Sequence, residues 1–228
     1  MSNIISNLIF VLEKYSHLFV SGTIVTLQYS VVAVFGGVLF GALLAMMRRS
    51  TLHIGKFRPF SALATIYVEI IRGTPILLQL YVFYFWVSTI VPFEMTKFQS
   101  ISIALIFNSA AYVAEIFRAG IEAVDKGQTE AARSLGLSSG QTMLRIVMPQ
   151  AIKNILPALC NEFIMMIKET SLASTFFGGD IMSQQKTISG ASSLVIEPMI
   201  VSAVIYFVLT FTLSKVVAVF ERRMSTGD

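Results

Sequence analysis

Residues 130–149 read Glu130-Ala-Ala-Arg-Ser-Leu-Gly136, then nine residues, then Ile146-Val-Met-Pro149. This polar stretch interrupts a chain that is apolar over long runs. Of its 228 residues, 55% are hydrophobic and 13% are charged. Soluble domains carry about a quarter charged residues. Half that fraction places the chain in a bilayer, with 130–149 as a loop outside it. The length suits one membrane domain of several helices. A single cysteine, Cys160, excludes an internal disulfide and a cysteine zinc cage. His17 and His53 stand alone, so no metal is assigned.

Outward from the loop, the apolar runs divide into five spans. They cover roughly Gly22 to Met47, Pro59 to Val91, Ser100 to Arg118, Pro149 to Ile167 and Pro198 to Phe220. Each can cross a hydrocarbon core of ~30 Å at about 1.5 Å per residue. The second is interrupted by Arg72-Gly73-Thr74-Pro75, and the fourth is short and proline-broken. Residues 1–19 place Ile4, Ile5, Leu8, Leu12, Tyr15 and Phe19 at helical spacing among polar residues. This predicts an amphipathic helix lying in the interface. Gly37 and Gly41 form a GxxxG pattern that favours close helix packing.

Lysine and arginine set the orientation. Twelve of them, including Arg48, Arg49, Lys56, Lys126, Arg133 and Arg222, fall on one side of the spans and three on the other. The bias puts the N-terminus outside and the C-terminus in the cytoplasm. The net charge of +4 is therefore a topology signal and not a nucleic-acid patch. The expected organisation is an interfacial helix at 1–19, a single transmembrane domain at 20–223 with a cytoplasmic loop at 119–149, and a cytoplasmic tail at 224–228.

Inside that loop, Gly120 to Lys126 predicts one short helix, and Gln128 to Leu135, rich in helix formers, predicts a second. Gly136 supplies a left-handed C-cap. Ser138 and Gln141 have capping-box spacing for the next helix. Ala131 and Ala132 let a partner approach closely, and Glu130 offers it a charge. Met143, Leu144, Val147 and Met148 form a greasy face toward the membrane.

The Glu-Ala-Ala, Gly, Ile-x-x-Pro spacing resembles the signature loop of ATP-binding-cassette importer permeases. Glu130, Ala131, Ala132, Gly136 and Pro149 match it, with Met148 where leucine is common. A wider resemblance, over about residues 21–223, is to the polar amino acid uptake permeases. It is carried by Tyr67-Val-Glu-Ile-Ile-Arg-Gly-Thr-Pro-Ile-Leu-Leu-Gln79, by Asn108-Ser-Ala-Ala-Tyr-Val-Ala-Glu-Ile-Phe-Arg118 with Lys126-Gly-Gln128, and by Asn161-Glu-Phe-Ile with Lys168-Glu-Thr-Ser-Leu172. Ala110, Asp125 and Phe176-Phe177-Gly-Gly-Asp180 depart from the usual pattern.

The resemblance implies an all-α membrane protein of the type I importer permease fold, in a bacterial cytoplasmic membrane. It implies a second permease copy or a sibling permease, two ATPase subunits and an external binding protein that delivers a polar amino acid. Gln128, Glu130, Ala131, Ala132, Gly136 and Pro149 would then meet the ATPase, which binds ATP and magnesium. No cofactor is expected on this chain, which is expected to be no enzyme.

Ionisable groups within spans mark cavities or pairs. By helical rise, Glu69 lies ~15 Å, Arg72 ~20 Å and Asn108 ~16 Å above the cytoplasmic boundary. Asn108, Tyr112 and Glu115 share one helical face. With Thr74 at the helix break and Lys168 at a comparable level, this set suits a zwitterion: cations for its carboxylate, oxygens for its amine. The same groups can instead pair internally, Glu69 with Arg72 or Glu115 with Arg118.

Two other classes are weighed. An intramembrane enzyme would need a buried nucleophile and base, and no Gly-x-Ser-x-Gly or paired aspartates occur in the spans. An ATP-independent channel or carrier would not need the loop. The chain has no Gly-x-x-x-x-Gly-Lys run, so it cannot be its own ATPase.

Overall fold

In chain order the helices are α1 (Ser2–Arg48), α2 (Pro59–Gly73), α3 (Ile76–Tyr81), α4 (Ser88–Ile90), α5 (Lys97–Glu122), α6 (Lys126–Ser134), α7 (Ser139–Thr142), α8 (Met148–Glu169), α9 (Ile181–Ser192) and α10 (Ile196–Ser225). π-Helical turns join α3 to α4 (Val82–Val87) and α7 to α8 (Met143–Val147), and a 3₁₀ turn (Thr170–Phe176) follows α8. The computed structural model describes residues 2–50, 52, 57–92 and 94–225, and no strand occurs among them. His53 and Lys56, used in the readings above, lie outside those residues, as do 226–228 of the expected tail.

The interfacial helix expected at 1–19 is not a separate element. It runs without a break into the first span, because no proline precedes Pro59 to remove a backbone donor. At about 1.5 Å per residue, α1 is roughly 70 Å long. Gly22 passes the expected junction because α9 lies against it: a Cβ there would sit 3.0 Å from the Ile181 Cα. Val11 and Phe19 of the N-terminal half are buried against Ile188 of α9 and Val201 of α10.

Farther along, α1 packs closely on α5. A Cβ on Gly37 would stand 2.5 Å from the Ser109 Oγ, and one on Gly41 would stand 2.7 Å from Val113 Cγ1. The GxxxG pair thus lets two helices meet almost backbone to backbone.

The second span breaks where its sequence predicts. α2 and α3 meet at 107°. Thr74 is extended (φ −118°, ψ 146°), and Pro75 caps α3 without a backbone N–H of its own to bond. The freed carbonyls are not left empty. The Gln79 side-chain amide donates to Ile71 O at 2.8 Å and to Thr74 O at 3.1 Å, and the Thr74 hydroxyl donates to Ile70 O at 2.8 Å. Gln79 Oε1 accepts from Asn108 Nδ2 at 2.9 Å, which ties the break to α5. Irregular backbone at membrane depth needs such partners.

Tyr29, Leu80, Ile101, Leu105, Met166 and Phe176 form the main core between α1, α3, α5, α8 and the 3₁₀ turn. α1, α5 and α10 are long and apolar enough to cross a membrane, and the bent pair adds a fourth crossing if it counts as one span. α8 has the length but carries Lys153, Asn154, Asn161, Glu162 and Lys168. Its Glu162 turns toward α5 and accepts from the Ser109 hydroxyl at 3.0 Å.

Candidate functional site

The polar residues expected to form one midplane cluster divide into two groups. The first lines a cleft of about 580 Å³ bounded by Arg48, Val68, Glu69, Arg72, Gly73, Tyr112, Glu115 and Arg118. Glu115 of α5 is its centre. Arg48, the last residue of α1, donates to it at 3.1 Å. Arg118, one turn along α5, donates its Nε to both carboxylate oxygens at 3.1 Å and also pairs with Glu122. Arg72 of α2 stands 3.7 Å away, with its guanidinium carbon 5.6 Å from the Tyr112 ring centroid.

Three guanidinium groups thus share one carboxylate. Arg48 and Arg118 hold it by direct hydrogen bonds. Arg72 is only at ion-pair distance, and its side chain is 42% exposed. Its remaining donors face the cleft, stacked on an aromatic ring. A guanidinium placed this way can take a carboxylate bidentately. Glu69, also on the cleft, has no ion-pair partner among the described residues and can face a cation. The internal Glu69–Arg72 pair weighed from the sequence is absent; the Glu115–Arg118 pair is present.

Asn108 and Thr74 form the second group and do not line this cleft. Both serve the helix break described above. Asn108 is 2% exposed, with its amide committed to Gln79. Lys168, at the far end of α8, does not line the cleft either. Glu69 and Arg72 line the cleft with Tyr112 and Glu115, whereas Asn108, one turn back along α5 from Tyr112, is bonded to Gln79 instead. Ser61 donates to Arg48 O at 3.0 Å, so the start of α2 lies beside the end of α1, and the cleft includes that end.

Arg48 and Gln79 were missed by sequence reasoning. Arg48 looked like one of many loop cations, although the uninterrupted helical run to it places it at a helix end. Gln79 carried a usable signal: an amide one turn past Thr-Pro can reach the carbonyls that the break frees.

The loop forms a compact hairpin of helices. α5 extends to Glu122, so no separate helix covers 120–126. Asp125 caps α6, its side chain accepting from Gly127 N at 2.6 Å. Gly136 is left-handed (φ 86°), as expected, and closes α6 with two bonds, Leu137 N to Ala132 O at 3.1 Å and Gly136 N to Arg133 O at 3.0 Å. Ser138 and Gln141 make the expected capping box.

Within this hairpin, Glu130 and Ala131 are exposed, but Ala132 is buried against the chain itself and cannot receive a partner. Gln128 is tied back to Gln150 at 3.4 Å. Pro149 is exposed at the start of α8. Leu144, expected to face the membrane side, is 71% exposed, and Leu135 is 81% exposed, whereas Val147 packs with Val124, Ala151 and Ile155. Residues 143–147 form a π turn that leads into α8. Glu130, Ala131, Leu135 and Leu144 are exposed residues of the hairpin.

Residues 37–226 match the family described as "Binding-protein-dependent transport system inner membrane component". The chain is 39% identical over 207 residues to the arginine transport system permease protein ArtQ of Bacillus subtilis (strain 168), covering 91% of this chain and 92% of that one. It is 40% identical over 205 residues to the putative glutamine transport system permease protein GlnP of Rickettsia bellii (strain RML369-C), covering 90% and 92%. A crystal structure of an amino acid ABC transporter with histidines aligns with a TM-score of 0.88 at 45% identity, over 94% of this chain and 97% of that one. The MetNI methionine ABC transporter in an inward-facing conformation aligns at 0.70 with 16% identity, over 90% and 96%, which bears on the fold alone.

Proposed function

The chain belongs to the family of binding-protein-dependent transport system inner membrane components, which makes it a transporter permease subunit and not an enzyme, and from that premise we propose that it forms the membrane path of an ATP-driven importer of polar amino acids. Two copies, or one copy and a sibling permease, enclose the path. Two ATPase subunits, which hold ATP and magnesium, engage the α6 hairpins, and an external binding protein delivers the substrate. The chain crosses a bacterial inner membrane five times, N-terminus outside and C-terminus in the cytoplasm, with the lysine and arginine bias as support.

The observation that carries the reading is α6. It is a short helix, capped at both ends by its own sequence, that leaves Glu130, Ala131 and the C-cap residue Leu135 exposed. Free apolar side chains on a rigid polar helix suit a protein partner. On the substrate side, Arg72 offers a carboxylate site and Glu69 a cation site within one cleft. That pairing fits the zwitterion of an amino acid, and the relatives named for arginine and glutamine transport agree with it.

Uptake by proteoliposomes holding the permease, its ATPase and its binding protein tests this reading. Uptake requires ATP and the ATPase. In Arg72→Ala, uptake falls about tenfold or more while basal ATP hydrolysis persists. Uptake driven by a substrate gradient without ATPase would refute the importer, and unchanged uptake in Arg72→Ala would refute the cleft.

A further inference from the structure

At 3.7 Å, Arg72 is too far from Glu115 for a hydrogen bond, so its guanidinium sits wherever the end of α2 puts it. That end is thinly packed. Gly73 follows Arg72 and closes α2, and nothing lies within 4 Å of where its Cβ would stand. Thr74 is extended, and the chain bends by 107°. One turn back, Val68 and Ile71 pack with Ala111 and Ala114 of α5. Such apolar contact brings the helices together but is non-directional.

Hydrogen bonds supply the direction. Near the middle of α2, the Tyr67 hydroxyl donates to Phe107 O at 2.7 Å. At its end the Gln79 side chain forms a bridge. It accepts from Asn108 Nδ2 at 2.9 Å and donates to Ile71 O at 2.8 Å. Ile71 directly precedes Arg72. It also donates to Thr74 O at 3.1 Å, on the other side of Gly73. Gln79 and Asn108 are both buried, so each of these bonds is costly to lose. Asn108 lies one turn before Tyr112 and two before Glu115 on one face of α5. That face therefore meets α2 twice, at the backbone before Arg72 and around the Arg72 side chain. Recognition geometry must be held to within about 0.5 Å by supporting bonds of this kind.

We propose that Gln79 is a positioning residue for substrate recognition: by bridging Asn108 to the Ile71 carbonyl, it holds the Arg72 guanidinium where a substrate carboxylate can meet it bidentately. The inference rests on the reading of the Arg72 cleft as a substrate site. Gln79 does not line that cleft and acts only through Arg72. Its removal therefore harms recognition of the carboxylate and spares recognition of the amine, which Glu69 faces.

Equilibrium binding to the permease purified with its ATPase tests this. The probes are L-arginine and L-glutamine, each compared with its carboxamide, L-argininamide and L-glutaminamide, which lack the carboxylate. The parent is expected to prefer the free acid. Gln79→Met, of similar length, should lower that preference about tenfold. Asn108→Leu, which cuts only the tie to α5, should lower it severalfold. Affinity is read apart from the number of sites, because a misfolded fraction lowers only the number. Asn108→Leu leaves the Gln79 bonds to Ile71 and Thr74 in place and keeps the test valid if Gln79→Met misfolds. The proposal is overturned if both variants keep the parental preference, or if acid and amide weaken equally. Arg72→Ala separates the two readings. No preference in the parent, or an intact one in Arg72→Ala, refutes the cleft itself. A preference lost in Arg72→Ala but kept in the Gln79 and Asn108 variants refutes the positioning role alone.

Discussion

Glu115 and Glu130 are both helical glutamates in one chain, yet their surroundings differ in kind. Glu115 has a side chain 22% exposed and is gripped by cations from three helices: Arg48 of α1, Arg72 of α2 and Arg118 of α5. Glu130 is exposed, and no ion pair holds it among the described residues. The first charge is committed inside the chain, where removing one partner leaves the others uncompensated. The second contributes almost nothing to the isolated chain, since exposed charges add little stability. A cleft that balances its own charges can exchange one of them for a ligand's charge. A helix whose charge and leucines are unspent is available to another protein.

The sharpest way to break this contrast is to delete each carboxylate. Glu115→Ala strands Arg48 and Arg72, leaves Arg118 with Glu122 alone, and should cost roughly 2–4 kcal/mol, seen as a drop of several degrees in the melting of the detergent-solubilised permease. Glu130→Ala should stay within about 0.5 kcal/mol of the parent. Equal melting temperatures for the two would remove the distinction.

A smaller effect separates the two helix ends. Gly136 closes α6 at φ 86°, a conformation that costs an alanine about 1 kcal/mol or more. Gly73 ends α2 with open space around it and no left-handed angle. Gly136→Ala should therefore speed hydrogen exchange in residues 126–137, while Gly73→Ala should leave α2 as protected as before. Faster exchange in both, or in neither, would mean that the left-handed cap does not hold the hairpin.

The α6 hairpin was legible in the sequence because its structure is local. Asp125, Gly136, Ser138 and Gln141 act on backbone groups within a few residues, and spacing is enough to read them. The break at Thr74-Pro75 was legible for the same reason. The cleft was only half legible. Glu115 and Arg118 lie one turn apart and could be paired by counting, but Arg48 and Arg72 reach Glu115 through tertiary packing. That packing brings α1, α2 and α5 together, which the periodicity of no single helix encodes. The bend after Gly73 is what concerns Asn108, whose amide donates to Gln79 on α3. The continuity of α1 was missed because an amphipathic beginning and an apolar sequel read as two elements, while a helix needs only unbroken backbone bonding to be one. Ala132 shows the limit of composition: two adjacent alanines look alike, and helical rotation buries one and exposes the other.

The measurement closest to the central claim is co-purification of the ATPase with the Glu130→Arg permease. The account predicts a loss of at least about tenfold in bound ATPase, with the melting of the permease itself unchanged, because reversing a charge at a docking surface repels the partner without touching the fold. Parental amounts of ATPase on a well-folded Glu130→Arg permease would contradict it.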